Sequence, residues 1–384
     1  MKRICVVIGS RANYSSIKSA MSAIRERPDL ELVTVVGASA LLPRFGAVVD
    51  LIRQDGFAVD SIFYMIVEGE NPVTMAKSTG LGLIELANIF ANLKPSFVVS
   101  VGDRFETMAT AVASAYTNIP LVHTMGGEVT GTIDESVRHA VTKLAHVHFP
   151  ANDDAGQRII RMGEDPESVH VVGCPRIDEV ARILGAGCAG LDRIFAEHKG
   201  VGGVFGLHEP FLLVSQHPVT TEYGQARSQM DATLKALQRL EMNTIMIWPN
   251  IDAGSDDISK SIRAFRERER PEWLHVFINL PIDVYVHLMD SCACLIGNSS
   301  SAVREGCFIG TPAVNVGSRQ NLRVRGRNVV DVAHEPGAIA DAVRGQIEHG
   351  RYDSETIYGD GRAGQRIAEV LARTSVDVQK TITY

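Results

Sequence analysis

Short runs of β-branched and other apolar residues alternate along this chain with longer stretches in which apolar residues recur every third or fourth position. That alternation constrains the fold more than any other feature. Strands buried on both faces read as continuous apolar runs, and parallel strands need a long crossover, usually a helix. The pattern predicts an α/β fold of parallel sheets wound by helices. In the first half, strands are expected at 4–8, 32–36, 97–101, 121–124, 146–149 and 169–172, with helices over 15–26, 73–93 and 105–117. A second series predicts strands at 211–215, 244–248, 275–278, 294–296, 313–316 and 329–330, with helices over 225–240, 258–270, 282–290 and 302–308.

The stretch 184–208 separates the two series and contains Gly185, Gly187, Gly190, Gly200, Gly202, Gly203 and Gly206, so its backbone is costly to order and reads as a linker. The expected organisation is a Rossmann-like domain over 1–183, the linker, a second Rossmann-like domain over 209–360, and a closing helix and tail over 361–384. In the last segment Ile367, Val370 and Leu371 have helical spacing and can pack on either half. A length of 384 residues suits two or three domains. Two wound sheets facing one another would present the carboxyl ends of both strand sets to one cleft, so functional residues are sought in strand-end loops.

Composition narrows the function classes. With 45% hydrophobic and 22% charged residues the bulk of the chain folds. The balance of 38 Lys and Arg against 45 Asp and Glu gives a net charge of −7, which argues against a nucleic-acid partner. No apolar run is long enough to span a membrane, and MKRICVVIGSR lacks the plan of a secretion signal, so no membrane partner and a cytoplasmic location are expected. The six cysteines, Cys5, Cys174, Cys188, Cys292, Cys294 and Cys307, are scattered, mostly in apolar surroundings, and predict neither a disulfide frame nor a zinc site. His146 and His148 alternate on one strand with no third ligand nearby, and are read as structural.

Several strand-end loops carry groups suited to chemistry. Gly9-Ser10-Arg11-Ala12-Asn13 is a glycine turn with a cation, opening a helix capped by Ser or Asn; its N–H groups and Arg11 can meet a phosphate. Asp103 and Arg104 follow Gly102, where Asp103 is either an N-cap or a carboxylate aimed into the cleft. The loop from His123 to His139 supplies Gly126, Gly127, Glu128, Asp134, Glu135 and Arg138, with Asp134 and Arg138 one turn apart and able to form a solvated pair. In the second half, Pro218 turns the chain out of its strand directly after His217, leaving that imidazole as the best acid/base candidate among twelve histidines. Gly297-Asn298-Ser299-Ser300-Ser301 brings hydroxyls and free N–H groups to a helix start, where a diphosphate can bind. Glu305 can accept from ribose hydroxyls, and Gly317-Ser318-Arg319 adds a cation.

Taken in order, Gly102-Asp103-Arg104-Phe105, Gly126-Gly127-Glu128, Ile133-Asp134, Gln216-His217-Pro218, the run from Pro249 to Ser255 and Gly297-Asn298-Ser299-Ser300 resemble the hydrolysing UDP-N-acetylglucosamine 2-epimerase family. The likeness is greatest to the branch that releases N-acetylmannosamine or a related 2-acetamido sugar for sialic and legionaminic acid synthesis. The resemblance implies the two-domain fold shared with many glycosyltransferases, no metal or cofactor, a nucleotide-sugar substrate, and a homodimer or dimer of dimers. It implies expulsion of the nucleoside diphosphate by anti elimination to a glycal, followed by addition of water. On that basis Asp103 and Asp134 match acid/base positions and His217 the cleft histidine, while Arg11, Asn13, Arg104, Asn250, Ser299, Ser300, Glu305 and Arg319 match the nucleotide side.

Two departures stand out. Met125 occupies a place where family members often carry a carboxylate, and Asn13 stands where the first loop often has Asp. A thioether cannot move a proton, so either Glu128 takes that role or the proton inventory differs. Met125 would also suit a substrate lacking the usual hydroxyl, such as a 6-deoxy sugar with a 4-acetamido group. The alternatives are a glycosyltransferase on the same scaffold and a non-catalytic nucleotide-sugar-binding protein.

Overall fold

The computed structural model describes residues 1–69, 71–187, 190–249 and 252–383. Contacts divide the chain into two units: Met1–Glu128, Ile133–Glu179 and Tyr358–Tyr384 form the first, Val129–Thr132 and Val180–Ile357 the second.

In the first unit β1 (Lys2–Ile8), β2 (Leu30–Gly37), β3 (Ser61–Phe63), β4 (Phe97–Val101), β5 (Leu121–Thr124) and β6 (Val147–Phe149) form a parallel sheet in the order β3-β2-β1-β4-β5-β6. The chain winds outward from β1 to β3, then returns through the helix Pro72–Leu93 to lay β4 on the other side of β1. Strand order therefore reverses between β1 and β4, the place where open α/β sheets leave room for ligands. Cys5, Val7, Val33, Val35 and Val98 join Leu86, Phe90 and Ala109 from the crossing helices in one buried cluster.

The second unit holds β7 (Gly200–Gly202), β8 (Leu212–Ser215), β9 (Thr244–Ile247), β10 (Leu274–Phe277), β11 (Cys294–Gly297), β12 (Ala313–Val316) and β13 (Val329–Val332) in the order β13-β12-β11-β8-β9-β10-β7. Without the antiparallel edge strand β7 this is the same winding, with the reversal between β8 and β11. Both faces are covered: Leu212 and Val214 pack into one apolar cluster, Phe211 and Leu213 into another. Continuous apolar runs with period-two partition are what such burial requires.

The structure revises several elements. The predicted strand 169–172 makes a single bridge, Val169 to His148, because it runs along the sheet's edge with Val171 exposed and turns away at Gly173, where φ is +92°. β7 lies inside the glycine-rich stretch. There a Cβ at Gly202 would sit 2.0 Å from the Leu274 carbonyl oxygen, so glycine permits close strand pairing. The helix expected over 15–26 is two, Arg11–Ser15 and Lys18–Glu26, and that over 302–308 is Ser300–Val303 and Glu305–Ile309, broken at Arg304.

The closing helix Ala363–Arg373 belongs to the first unit, and both its ends are satisfied from elsewhere in the chain. Asp178 accepts from the N–H groups of Ala363 (3.0 Å) and Gly364 (2.7 Å), supplying the cap that Arg362 lacks. The Lys2 ammonium donates to the carbonyls of Leu371, Ala372 and Thr374, a cation at the negative end of the helix. Gly364 allows the approach, since a Cβ there would lie 2.6 Å from the Ser19 carbonyl carbon.

Candidate active site

In the first unit, Asn13 stitches together the loops on either side of the reversal. Its Oδ1 accepts from Gly9 N–H (3.1 Å) and its Nδ2 donates to the Val101 carbonyl (2.7 Å), while Ser10 caps its helix by accepting from Asn13 N–H. The buried Asn13 amide is thus spent on the scaffold. Gly9 is needed because a Cβ there would lie 2.4 Å from Cγ of Glu106, a buried acid that pairs with Arg104 Nε at 3.1 Å.

Asp103 does not cap the helix that follows. Arg104 stands at the N-cap with no side-chain capping bond, and Asp103 instead meets Arg138. Arg138 is 0% exposed, so the solvated pair expected for it is replaced by a buried fork. Its Nε donates to Asp103 Oδ2 at 3.1 Å and its Nη2 donates to the same oxygen; its Nη1 donates to the Glu128 carbonyl (2.9 Å) and to Glu135 Oε2 (3.0 Å). Burial disfavours the guanidinium charge, but Asp103 and Glu128 together hold its pKa above the usual range. Glu135 also reaches His139 Nε2 at 2.9 Å, extending the network along the helix Asp134–Leu144. Asp134 is the first residue of that helix, half-buried, one turn before Arg138 and favourably placed at the positive helix end.

The loop after β5 is locked underneath. His123 is fully buried and donates from Nε2 to the Gly102 carbonyl (2.8 Å), so its Nδ1 accepts from the Thr142 hydroxyl (3.1 Å). Burial pushes its pKa down to about 4, keeping it neutral. A Cβ at Gly126 would fall 2.8 Å from that Nδ1, and one at Gly127, where φ is +74°, 2.2 Å from the Ala155 carbonyl oxygen. Met125 is buried, with its sulfur 3.5 Å from the Cys174 thiol and its methyl 3.8 Å from where a Gly102 side chain would begin. Its thioether lies against the Asp103 turn, as an apolar surface. Glu128 is buried as well.

In the second unit His217 lies two residues past the end of β8 and stands 3.5 Å from the Ser215 hydroxyl through Nε2. Asn298, fully buried after β11, grips it across the reversal: Oδ1 accepts from His217 N–H (2.7 Å) and Nδ2 donates to the His217 carbonyl (2.8 Å). The Asn298 carbonyl in turn receives Arg319 Nη1 (3.3 Å) and Gln320 Nε2 (2.8 Å). Arg319 Nη2 also lies 3.7 Å from Asp252 Oδ2. Ser299 caps the Ser300–Val303 turn and bonds the Ser301 hydroxyl at 2.7 Å, whereas the Ser300 hydroxyl has no hydrogen-bond partner among the described residues. A single helical turn carries little macrodipole, so an anion here would rely on hydroxyls, N–H groups and Arg319. Glu305 is buried at the start of the next short helix.

Arg11 opens its short helix, half-buried. Asn250 lies outside the described residues. His148 is buried against Glu164 at 3.1 Å, and His146 bonds Leu121 N–H and the Val378 carbonyl. Among the described residues no three His, Cys, Asp or Glu side chains are grouped to hold a metal ion. No helix of the described residues is long and apolar enough to cross a membrane. Sequence reasoning missed Arg138 and Asn298 as organising residues. The signals that pointed to them were the spacing of Arg138 one turn after Asp134 in the helix Asp134–Leu144 and the place of Asn298 directly after β11.

Two Rossmann-like units, each with its polar loops at the strand-order reversal, define the two-domain α/β class of GT-B-like fold. The chain belongs to the UDP-N-acetylglucosamine 2-epimerase family, whose model matches residues 22–372. It is 31% identical over 380 residues to the hydrolysing UDP-N,N'-diacetylbacillosamine 2-epimerase of Legionella pneumophila, covering 97% of this chain and 96% of that one. It is 28% identical to the UDP-N-acetylglucosamine 2-epimerase of Neisseria meningitidis, covering 97% and 95%. Its fold matches the crystal structure of UDP-GlcNAc 2-epimerase from Neisseria meningitidis bound to UDP-GlcNAc with a TM-score of 0.81 at 16% identity, over 97% of this chain and 100% of that one.

Proposed function

We propose that this chain is a hydrolysing 2-epimerase that converts a UDP-2-acetamido sugar to UDP and the free, C2-inverted sugar, with a 2,4-diacetamido-6-deoxy sugar as substrate. A carboxylate removes the C2 proton as the C1–O bond breaks and UDP departs, leaving a C1=C2 glycal. Water then adds hydroxyl to C1 while a proton returns to C2 on the opposite face. The observation that carries this reading is Asp103, held at the end of β4 by a buried arginine from the helix that Asp134 opens. One fixed carboxylate and a second a turn away suit two proton transfers, with Asp103 and Asp134 as the acid/base pair and Glu128 beside them. Residues 209–360 serve the nucleotide through Ser299, Ser300, Glu305 and Arg319, with Arg11, Arg104 and Asn250 as further contacts and His217 as the acid at the leaving group. The same reading carries a cytoplasmic location and a homodimer or dimer of dimers.

Met125 supports the sugar assignment. A buried thioether beside the Asp103 turn offers a hydroxyl only a weak acceptor but packs well against a methyl group. The Legionella relative is named for a diacetamido-6-deoxy sugar of that kind. Purified protein, given UDP-2,4-diacetamido-6-deoxyglucose or UDP-N-acetylglucosamine and no acceptor, is expected to release UDP and an inverted sugar from the first with kcat/KM higher by roughly 10-fold or more. Preference for the second substrate would discard the sugar assignment, and absence of UDP release from both would discard the enzyme.

A further inference from the structure

We infer that Asn298 is a positioning residue that holds His217 in place and couples it to occupancy of the Ser299–Ser300 loop. The inference rests on the reading of His217 and that loop as parts of one nucleotide-sugar site.

The β8 and β11 strands are neighbours, and each ends in a loop that must leave the sheet without a ladder partner. Gly297, at φ +129°, brings the second loop so near the first that a Cβ would lie 2.2 Å from the Ser215 carbonyl oxygen. That carbonyl receives the N–H groups of both Asn298 and Ser299 at 3.2 Å. One residue on, the Asn298 amide takes the N–H and the carbonyl of His217 together, closing a two-bond ring that mimics a strand pair where the sheet has ended. The opposite polarities of those two backbone groups fix which end of the amide is oxygen. The amide is fully buried, so neither bond is shared with water.

Asn298 is also the residue before Ser299 and Ser300, and its own carbonyl is bonded by Arg319 and Gln320. A diphosphate drawn to the Ser300 hydroxyl and to Arg319 would therefore act on one of the two side chains that hold the Asn298 carbonyl and on the loop that Asn298 opens, and through them on the residue that carries His217. A shift of about 1 Å in a reacting group can cost roughly 100-fold in rate, so a clamp of this kind governs turnover more than affinity.

Asn298→Asp is the informative variant. It keeps the shape and the acceptor for His217 N–H, removes the donor, and sets a carboxylate oxygen against the His217 carbonyl. Asn298→Ser removes both bonds without adding charge and serves as the second variant. The expected result is a fall in kcat of about 10- to 100-fold with UDP affinity by calorimetry changed less than about 3-fold, and no further fall when either change is added to His217→Asn. Additive losses in that background, or UDP affinity falling in step with kcat, would overturn the inference. Imidazole NMR of His217 provides a readout that needs no turnover. UDP is expected to shift the ring signals in the parent and to shift them far less in both variants. Equal shifts in parent and variants, or none in the parent, would overturn the coupling even if the parent turned over no UDP-2-acetamido sugar and the reading of function had failed.

Discussion

Replacing Arg138 by methionine tests whether the carboxylate network is built around that side chain. The guanidinium is 0% exposed and donates to Asp103, Glu135 and the Glu128 carbonyl. The side chains of Asp103 and Glu135 are 24% and 30% exposed, so each recovers part of its hydration when the arginine is lost. We discount the contacts with those two carboxylates to about 1 kcal/mol per carboxylate and assign about 1–2 kcal/mol to the Glu128 carbonyl left without its donor. The sum is about 3–4 kcal/mol, in line with the roughly 3–5 kcal/mol of a buried pair broken from one side. Arg138→Lys keeps the charge but not the planar fork, and is expected to cost about half as much. Both tryptophans, Trp248 and Trp273, lie in the second unit, so their fluorescence in urea follows that unit. Hydrogen exchange over β5, β6 and the Asp134 helix follows the first. The expected outcome is a loss confined to the first unit. A loss below about 1 kcal/mol, or one shared equally by both units, would refute the network's dependence on Arg138.

Three further outcomes follow from packing and protonation. Gly127→Ala, which combines a left-handed backbone with a 2.2 Å clash against the Ala155 carbonyl, should lower the unfolding midpoint more than Gly126→Ala, whose neighbours are side chains; the reverse order would contradict the geometry. Asp178→Ala removes the cap of the closing helix and should cost about 1–2 kcal/mol, seen as faster exchange at Ala363 and Gly364; unchanged exchange there would show that the cap is idle. His123 is neutral in the fold with a pKa of about 4, below the 6.5 of an unfolded histidine, so the unfolded chain binds the extra proton between those values. First-unit stability should accordingly fall as pH drops through that window, by about 2 kcal/mol at pH 5 from this group, and His123→Gln should flatten the dependence. Glu164 acts in a lower window: burial opposes its charge, but His148, Lys143 and Lys380 hold its pKa down to about 2, so its contribution is full above the ordinary carboxylate value of 4.5 and is lost as pH falls from there towards 2.

The winding of both sheets was legible because buried parallel strands leave continuous apolar runs, as in β1 and β8. The short edge strands were not, since β3 and β7 bury little and carry no such run. The segment 169–172 misled for the converse reason: its valines imitate a buried strand, yet Val171 faces solvent. Asp103, Asp134, His217 and the Ser299–Ser300 loop could be placed at strand ends from sequence, because glycine and proline mark where strands stop. Arg138 and Asn298 could not be given their roles, since an i,i+4 spacing is equally that of a surface pair, and nothing local says that an amide in one loop will close on a histidine 81 residues away. The capping of the last helix by Asp178 and Lys2 is likewise a tertiary fact, joining residues 185 and about 370 positions apart.

The most direct measurement is NMR of the products formed in deuterated water. If carboxylates of the first unit take the hydrogen next to the anomeric carbon and return one from solvent, the released sugar is inverted at C2 and carries deuterium there. The label should be lost, together with UDP release, in Asp103→Asn. An inverted sugar that keeps its original hydrogen at C2, or a released sugar whose configuration is unchanged, would contradict the account.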